Sequence, residues 1–392
     1  MDSIVIIDGS RTPIGSFGGK LATLTASELG AIAITGLLKR AGVAPEQVGE
    51  VIMGNVLSAG MGQAPARQAA LKSGLPDTTI ATTVNKVCAS GMKAVMMAAN
   101  QIRTGESDVV VAGGMESMSN VPFYLPQQRF GHKLGHVKAE DGILKDGLWD
   151  VYKDYHMGNA AELCATECGF GREEQDDYAL ESYRRSLQAR DSGWFDAEIV
   201  PVKIRDRKGV ATDVTTDEEL DRVDFEKMRG LRPVFLKEGS VTAANASSIN
   251  DGAAALLLMT ETKAAALGLT PMARILGQAS AEKAPEWFTT APADAIPLAI
   301  RRAGLEIGHI DLFEINEAFA VVALANNRIL ELDSAMVNVM GGAVSIGHPI
   351  GCSGARILVT LLHALRRTGG RYGCAGICNG GGGASAMVVE RI

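Results

Sequence analysis

Two stretches far apart in this chain repeat one another. Residues 88–114 read CASGMKAVMMAANQIRTGESDVVVAGG, and residues 351–381 read GCSGARILVTLLHALRRTGGRYGCAGICNGG. The Ser-Gly pairs (Ser90-Gly91 and Ser353-Gly354) and the Arg-Thr-Gly triplets (103–105 and 367–369) fall almost in register. In each, Met92, Val95, Met96 and Ala99, or Leu358, Leu361, Leu362 and Leu365, keep a helical period before a terminating glycine and a β-rich run. Upstream, VGEVIMGNV parallels IDLFEINEA, each a strand after a helix. Alternating strands and helices mean a layered α/β fold, and a long repeat present only twice means two similar halves rather than a solenoid. Chance likeness of two βα segments is the competing explanation.

From about 120 to 248 the pattern breaks. VPFYLPQQRFGHKLGH and the charged DRKGVATDVTTDEELDRVDFEKMRG carry no clear period, and a long irregular region of this kind is usually a binding or lid element. Residues 173–193 read as a helix, so the region is at least partly ordered. The expected division is an N-terminal half at 1–119 with 249–270 returning to it, an inserted loop domain at 120–248, and a C-terminal half at 271–392. The 392 residues exceed one ordinary domain. A net charge of -7 argues against nucleic acid as partner, while leaving room for a small anion at a local basic cluster. No apolar run reaches the ~18 residues that would span a membrane. The N-terminus lacks signal-peptide features and the C-terminus a peroxisomal tripeptide, so a cytoplasmic protein with reduced cysteines is expected.

Chemistry is concentrated in four places. In NKVCASGMK, Cys88 stands at the mouth of a helix, whose free N–H groups favour a thiolate; an isolated Cys-x-Ser-Gly is as readily a buried, inert thiol. GGAVSIGHPIGCSG puts His348 in the equivalent loop of the second half, where it can meet Cys88 and take its proton if the halves are twofold mates. In EINEAFA, Asn316 can orient a water or donate to an oxyanion, and Glu317 can equally be a helix N-terminal charge. Last, Cys378 precedes the glycine run 380–383, where something must approach the backbone closely; no Lys-Ser/Thr follows, so this is no phosphate loop. Cys164/Cys168 and Cys374/Cys378 have C-x3-C spacing, but no clustered histidines complete a metal site.

RTPIG, VCASGMKA, GGMESMS, YHMG, VTAANAS, NEAF, GHPIG and CNGGGGAS together resemble the thiolases end to end, in particular the short-chain acetyl-CoA acetyltransferases. The resemblance implies two similar α/β halves related by pseudo-twofold symmetry with a loop domain over the site, a homotetramer, and no redox cofactor. It implies that Cys88 carries the acyl group and that Cys378 exchanges the α-proton of a second acetyl-CoA. The N–H groups of Cys88 and Gly380 would form one oxyanion hole; His348 and a water on Asn316 would form the other. The products would be acetoacetyl-CoA and CoA.

By the same resemblance, His156, Met157, Ser247, Ala318 and Phe319 would line the pantetheine tunnel. Arg222, Val223, Asp224 and Lys227 of DRVDFEK, with Leu231, Phe235 and Tyr183, would lie near the nucleotide. Tyr183 and the carbonyls of Ala243, Ala244, Ala246 and Val344 match the potassium site of one subgroup, which the WFTTAP segment with Phe288 also resembles. The rival readings are a longer-chain 3-ketoacyl-CoA thiolase and a non-catalytic CoA- or lipid-binding relative. The second would be expected to lack one of Cys88, His348 or Cys378, and none is missing.

Overall fold

The computed structural model describes residues 2–205 and 208–392; Asp206 and Arg207, which open the charged stretch, lie outside the described residues. The long strands Val109–Ser117, Asn250–Thr260 and Gly383–Arg391 are runs of small and branched residues buried on both faces. Near-continuous burial of this kind marks strands covered on both sides. All the long strands join one sheet. Its N-terminal part runs Ile4–Arg11, Asn250–Thr260, Val109–Ser117, Glu50–Gly54, Ile80–Val84. Its C-terminal part runs Ala273–Glu282, Gly383–Arg391, Tyr372–Asn379, Leu312–Ile315.

The pairing senses repeat: antiparallel, antiparallel, parallel in each part. The fifth N-terminal strand has as its counterpart a single parallel bridge, Phe313 to Val337. The first strand of each part carries a bulge, after Ile6 and after Ile275, which makes Val5 the counterpart of Arg274. Val5 and Arg274 pair with each other at the seam. A residue that pairs with its own counterpart lies on a local twofold axis, so the repeat in sequence is a pseudo-twofold in space.

The helices Ser90–Thr104 and Ile350–Thr368 form the middle layer. Their apolar faces share one core with the inner faces of both sheet parts, including Ile6, Val110 and Leu256 from one and Ile275, Ile377 and Met387 from the other. Ala26–Ala41 and Pro65–Lys72 cover the outer N-terminal face, and Pro292–Arg302 covers the outer C-terminal face. The order is helix, sheet, helix, sheet, helix. Both Arg-Thr-Gly triplets end the central helices, at Gly105 (φ 76°) and Gly369 (φ 78°), a conformation that suits glycine.

The repeated Ser-Gly pairs have a packing cause. A Cβ on Gly354 would stand 2.5 Å from the Met92 nitrogen, and one on Gly91 would stand 2.8 Å from the Ala355 nitrogen. The two helices touch backbone to backbone.

The inserted region holds more order than its sequence suggests. Besides Arg172–Asp191 it contains the helix Met157–Cys168 and a hairpin of Val202–Arg205 with Ala211–Val214. Met157–Cys168 buries Ala160, Ala161, Cys164 and Ala165, residues too small to raise a strong periodic signal. The insertion is tied to the first strand by Arg11, which is fully buried, pairs with Glu198 at 2.5 Å and holds Asp217 with both terminal nitrogens at 2.6 and 2.9 Å. Removing one partner from such a set leaves a buried charge uncompensated, at a cost of about 3–5 kcal/mol. Among the described residues no helix is long and apolar enough to cross a membrane.

Gly354→Ala is expected to lower stability by about 1–3 kcal/mol, the usual cost of overpacking, with the obstruction being backbone that cannot rotate away. Urea unfolding measures it; an unchanged midpoint would mean that the central helices separate freely.

Candidate active site

The close helix contact brings two helix mouths side by side. Cys88 sits in the turn before Ser90–Thr104, where Ser90 Oγ accepts the Lys86 N–H at 2.8 Å and donates to the Val87 carbonyl at 2.6 Å. The Gly380 N–H points at the Cys88 sulfur. His348 occupies the matching turn before Ile350–Thr368. Its backbone N–H donates to Asn250 Oδ1 at 2.8 Å, and its Nδ1 lies 2.6 Å from Ser353 Oγ. That hydroxyl donates to the Pro349 carbonyl at 3.0 Å, so it accepts from His348 Nδ1–H. The Nε2 lone pair is left buried and without a partner.

Burial pushes the Cys88 thiol up to about 11, against the Gly380 and Cys88 N–H groups, which favour the thiolate. Burial, with Arg356 nearby, pushes His348 down to about 3. The resting pair is therefore thiol and neutral imidazole, and the imidazole is free to take the proton. The helix mouth alone suggests a lowered thiol; desolvation outweighs it.

Cys378 lies at the end of Tyr372–Asn379, fully buried in a cluster with Met157, Ala318 and Phe319. Burial first, and then the proximity of Cys88, hold it well above the ordinary thiol range. Each thiolate opposes the other. Asn316 is buried at the end of Leu312–Ile315, and both polar atoms of its amide lack a partner. Buried polar atoms left open in this way are costly unless a ligand or water meets them.

The glycine run divides. Gly380 faces the cavity, where a methyl would meet Met157 and Val87. Gly381 and Gly382 (φ 88° and 90°) form the turn into Gly383–Arg391, a conformation that other residues rarely adopt.

A cavity of about 370 Å³ opens onto some of these parts, and Cys378 and Asn316 lie outside its lining. Cys88, His348 and Gly380 line it, together with His156, Met157, Phe235, Ser247, Ala318 and Phe319. Phe235 stacks on His156 at 4.7 Å and meets Phe319 edge-on at 6.2 Å, making an apolar wall. Ala243, Ala246 and Phe288 also line the cavity. Tyr183 and Val223 pack in a separate cluster with Ala244 and Val344. Burial, then Glu219 and Glu317, raise the Tyr183 phenol to about 12.

Arg222, Asp224, Lys227 and Leu231 stand on an exposed segment outside the cavity lining. Lys227 pairs there with Asp224 at 2.7 Å. Cys164 and Cys168 place their sulfurs 3.9 Å apart, but no group of three metal-ligating side chains occurs among the described residues.

One site residue escaped the sequence reading. Glu116 is buried, accepts N–H bonds from Val56, Leu57 and Gly351, and is raised by burial to about 7. Gly54 pairs with Gly114 as Ile315 pairs with Gly376, so with Asn55 matched to Asn316, Glu116 is the counterpart of Cys378. In sequence the match is hidden by a two-residue gap between the Arg-Thr-Gly triplets and the strands that follow, since the register of the triplets would set Glu116 against Gly380.

Comparison with known proteins agrees with this geometry. The family descriptions "Thiolase, N-terminal domain" and "Thiolase, C-terminal domain" match residues 4–262 and 269–391. Acetyl-CoA acetyltransferase 2 of Arabidopsis thaliana is 58% identical over 389 residues, covering 99% of this chain and 96% of that protein. A relative from Gibberella zeae named as a cytosolic acetyl-CoA acetyltransferase is 54% identical, covering 99% and 98%. The structure of Acat5 thiolase from Ascaris suum in complex with coenzyme A aligns over 100% of both chains with a TM-score of 0.94 and 44% identity. Fold and site together are those of a two-half enzyme scaffold built around a cysteine. The chain belongs to the thiolase family.

Alkylation of Cys88 by iodoacetamide, followed by mass spectrometry, is expected to accelerate with pH without levelling off below about pH 10, because the raised thiol yields thiolate only near 11. A plateau near neutral pH would overturn the neutral resting pair.

Proposed function

We propose that the chain is an acetyl-CoA C-acetyltransferase, joining two acetyl-CoA into acetoacetyl-CoA and CoA and running the reverse thiolysis. The observation that carries this reading is one cavity lined by Cys88, His348 and Gly380, with Cys378 buried against its wall. His348 Nε2 takes the Cys88 proton as sulfur attacks the thioester carbonyl, and the N–H groups of Cys88 and Gly380 receive the oxyanion. CoA leaves protonated, and the acetyl group stays on Cys88.

Acetylation makes the Cys88 sulfur neutral. With Cys88 no longer able to ionise, a thiolate at Cys378 forms without a second thiolate competing beside it, and Cys378 serves as the base at the step that needs one. It removes a proton from the methyl of the second acetyl-CoA, and His348 with a water on Asn316 stabilises the enolate oxygen. The enolate carbon attacks the acetyl carbonyl, the C–S bond to Cys88 breaks, and the proton that Cys378 took from the methyl passes to the departing Cys88 thiolate.

The pantetheine arm lies along His156, Met157, Phe235, Ser247, Ala318 and Phe319, a reading supported by their shared cavity. Arg222 and Lys227 take the phosphates outside it, with Val223, Asp224, Leu231 and Tyr183 near the nucleotide. Tyr183 with the carbonyls of Ala243, Ala244, Ala246 and Val344 would hold a potassium ion that stiffens the cavity wall. Tyr183, Ala244 and Val344 share one cluster, and Glu219 and Glu317 give it a negative field. The chain assembles as a homotetramer. The exposed edge strand Ile80–Val84 and the bare side chains of Phe130 and Leu134 support assembly, since such surfaces are normally covered. We place the enzyme in the cytoplasm, as one relative's name supports. We divide the chain into halves at 1–119 with 249–270 and at 271–392, with 120–248 between.

Acetoacetyl-CoA cleavage by free CoA, followed by loss of enolate absorbance, is the direct test. Turnover is expected in sodium buffer, faster in potassium, and Tyr183→Phe should remove the potassium increment. Cys88→Ala should lower turnover by about 10⁴-fold or more, as loss of a nucleophile does. No cleavage by the native protein would sink the acetoacetyl-CoA reading.

A further inference from the structure

Asn316 presents an amide with no protein partner, yet an oxyanion-hole group must be held to a fraction of an ångström. What holds it is the chain on either side. Before it, Asn338 clamps Ile315: its Oδ1 accepts the Ile315 N–H at 2.8 Å and its Nδ2 donates to the Ile315 carbonyl at 2.8 Å. After it, the carboxylate of Glu317 is buried and receives four hydrogen bonds. Tyr178 OH at 2.8 Å and Asn338 Nδ2 at 2.9 Å donate to Oε1. Ser182 Oγ at 2.8 Å and the Val344 N–H at 3.1 Å donate to Oε2.

These donors come from different parts of the fold. Tyr178 and Ser182 lie on the inserted helix Arg172–Asp191, Asn338 follows the Val337 bridge, and Val344 belongs to the short turn before His348. Gly342 has no room for a side chain beside this carboxylate. Glu317 is thus no helix-end charge but a junction.

We propose that Glu317 is the positioning residue for the Asn316 amide, coupling the inserted helix to the oxyanion hole of the condensation step. This rests on the reaction assigned above. The geometry specifies its own probe, Glu317→Gln. A glutamine must turn its NH2 toward either the Oε1 or the Oε2 set. Tyr178 and Ser182 hydroxyls can rotate to accept. Asn338 Nδ2 cannot, because its amide is already fixed by Ile315, and the Val344 N–H cannot either. Each orientation of the glutamine therefore meets a donor facing a donor, and the loop carrying Asn316 must shift. The change is isosteric, and Glu317 makes no hydrogen bond to Cys88, His348 or Gly380.

The two half-reactions separate positioning from general damage. Exchange of labelled CoA into acetyl-CoA needs only acetylation of Cys88, whose oxyanion hole is made by backbone N–H groups. Thiolysis of acetoacetyl-CoA needs Asn316. In Glu317→Gln, assayed in potassium-free sodium buffer so that the proposed ion site plays no part, thiolysis is expected to fall about 10²-fold, the effect of a small misplacement at the reacting centre, while exchange stays within about twofold of the native enzyme. Tyr178→Phe, which removes one donor and no acceptor, should show the same split more weakly and guards against a glutamine variant that does not fold. Parallel loss of exchange and thiolysis in both variants, or no loss in either, would overturn the proposal. Native thiolysis, measured alongside, tests the assigned reaction on its own.

Discussion

The backbone contact of the two central helices governs everything else in this protein. At Gly91 and Gly354 nothing larger than hydrogen fits, and the helices meet closely enough for both sheet parts to share one core. The same contact sets Cys88 and His348, each at the mouth of its own helix, on one cavity. Were the helices held apart by ordinary side chains, nucleophile and base would belong to separate clefts. A packing rule in the interior thus becomes a catalytic distance at the surface of the core.

Buried charge does the remaining positioning. Arg11 with Glu198 and Asp217 ties the insertion to the first strand, and Glu317 ties it to the strand end that carries Asn316. Both sets are nearly complete in hydrogen bonds, which is what makes a buried ion tolerable. The sulfur chemistry uses the opposite device. His348 Nε2 and the Asn316 amide are left without partners, and a substrate completes them.

Much of this was legible in the sequence. The repeat announced two α/β halves because helix period, glycine stop and strand recur in the same order, and the pseudo-twofold at Val5 and Arg274 is its spatial form. Cys88 and His348 could be picked because each precedes a helix in equivalent loops. The helix Met157–Cys168 was hidden by its small residues, and the pantetheine-side wall came from family resemblance rather than from any periodic signal. Protonation was the least legible property. A helix mouth argues for a thiolate, but only the closed surroundings reveal that desolvation wins. Glu317 was ambiguous for a similar reason, since its four donors come from segments distant in sequence.

Glu116 and Cys378 hold corresponding places in the two halves. In one half that place is filled by a carboxylate absorbed in backbone N–H groups; in the other it is filled by a sulfur with almost nothing to bind. A doubled architecture offers two sites by default. Specialisation of one copy as scaffold and the other as reagent explains why a chain made of two like halves has a single reaction centre.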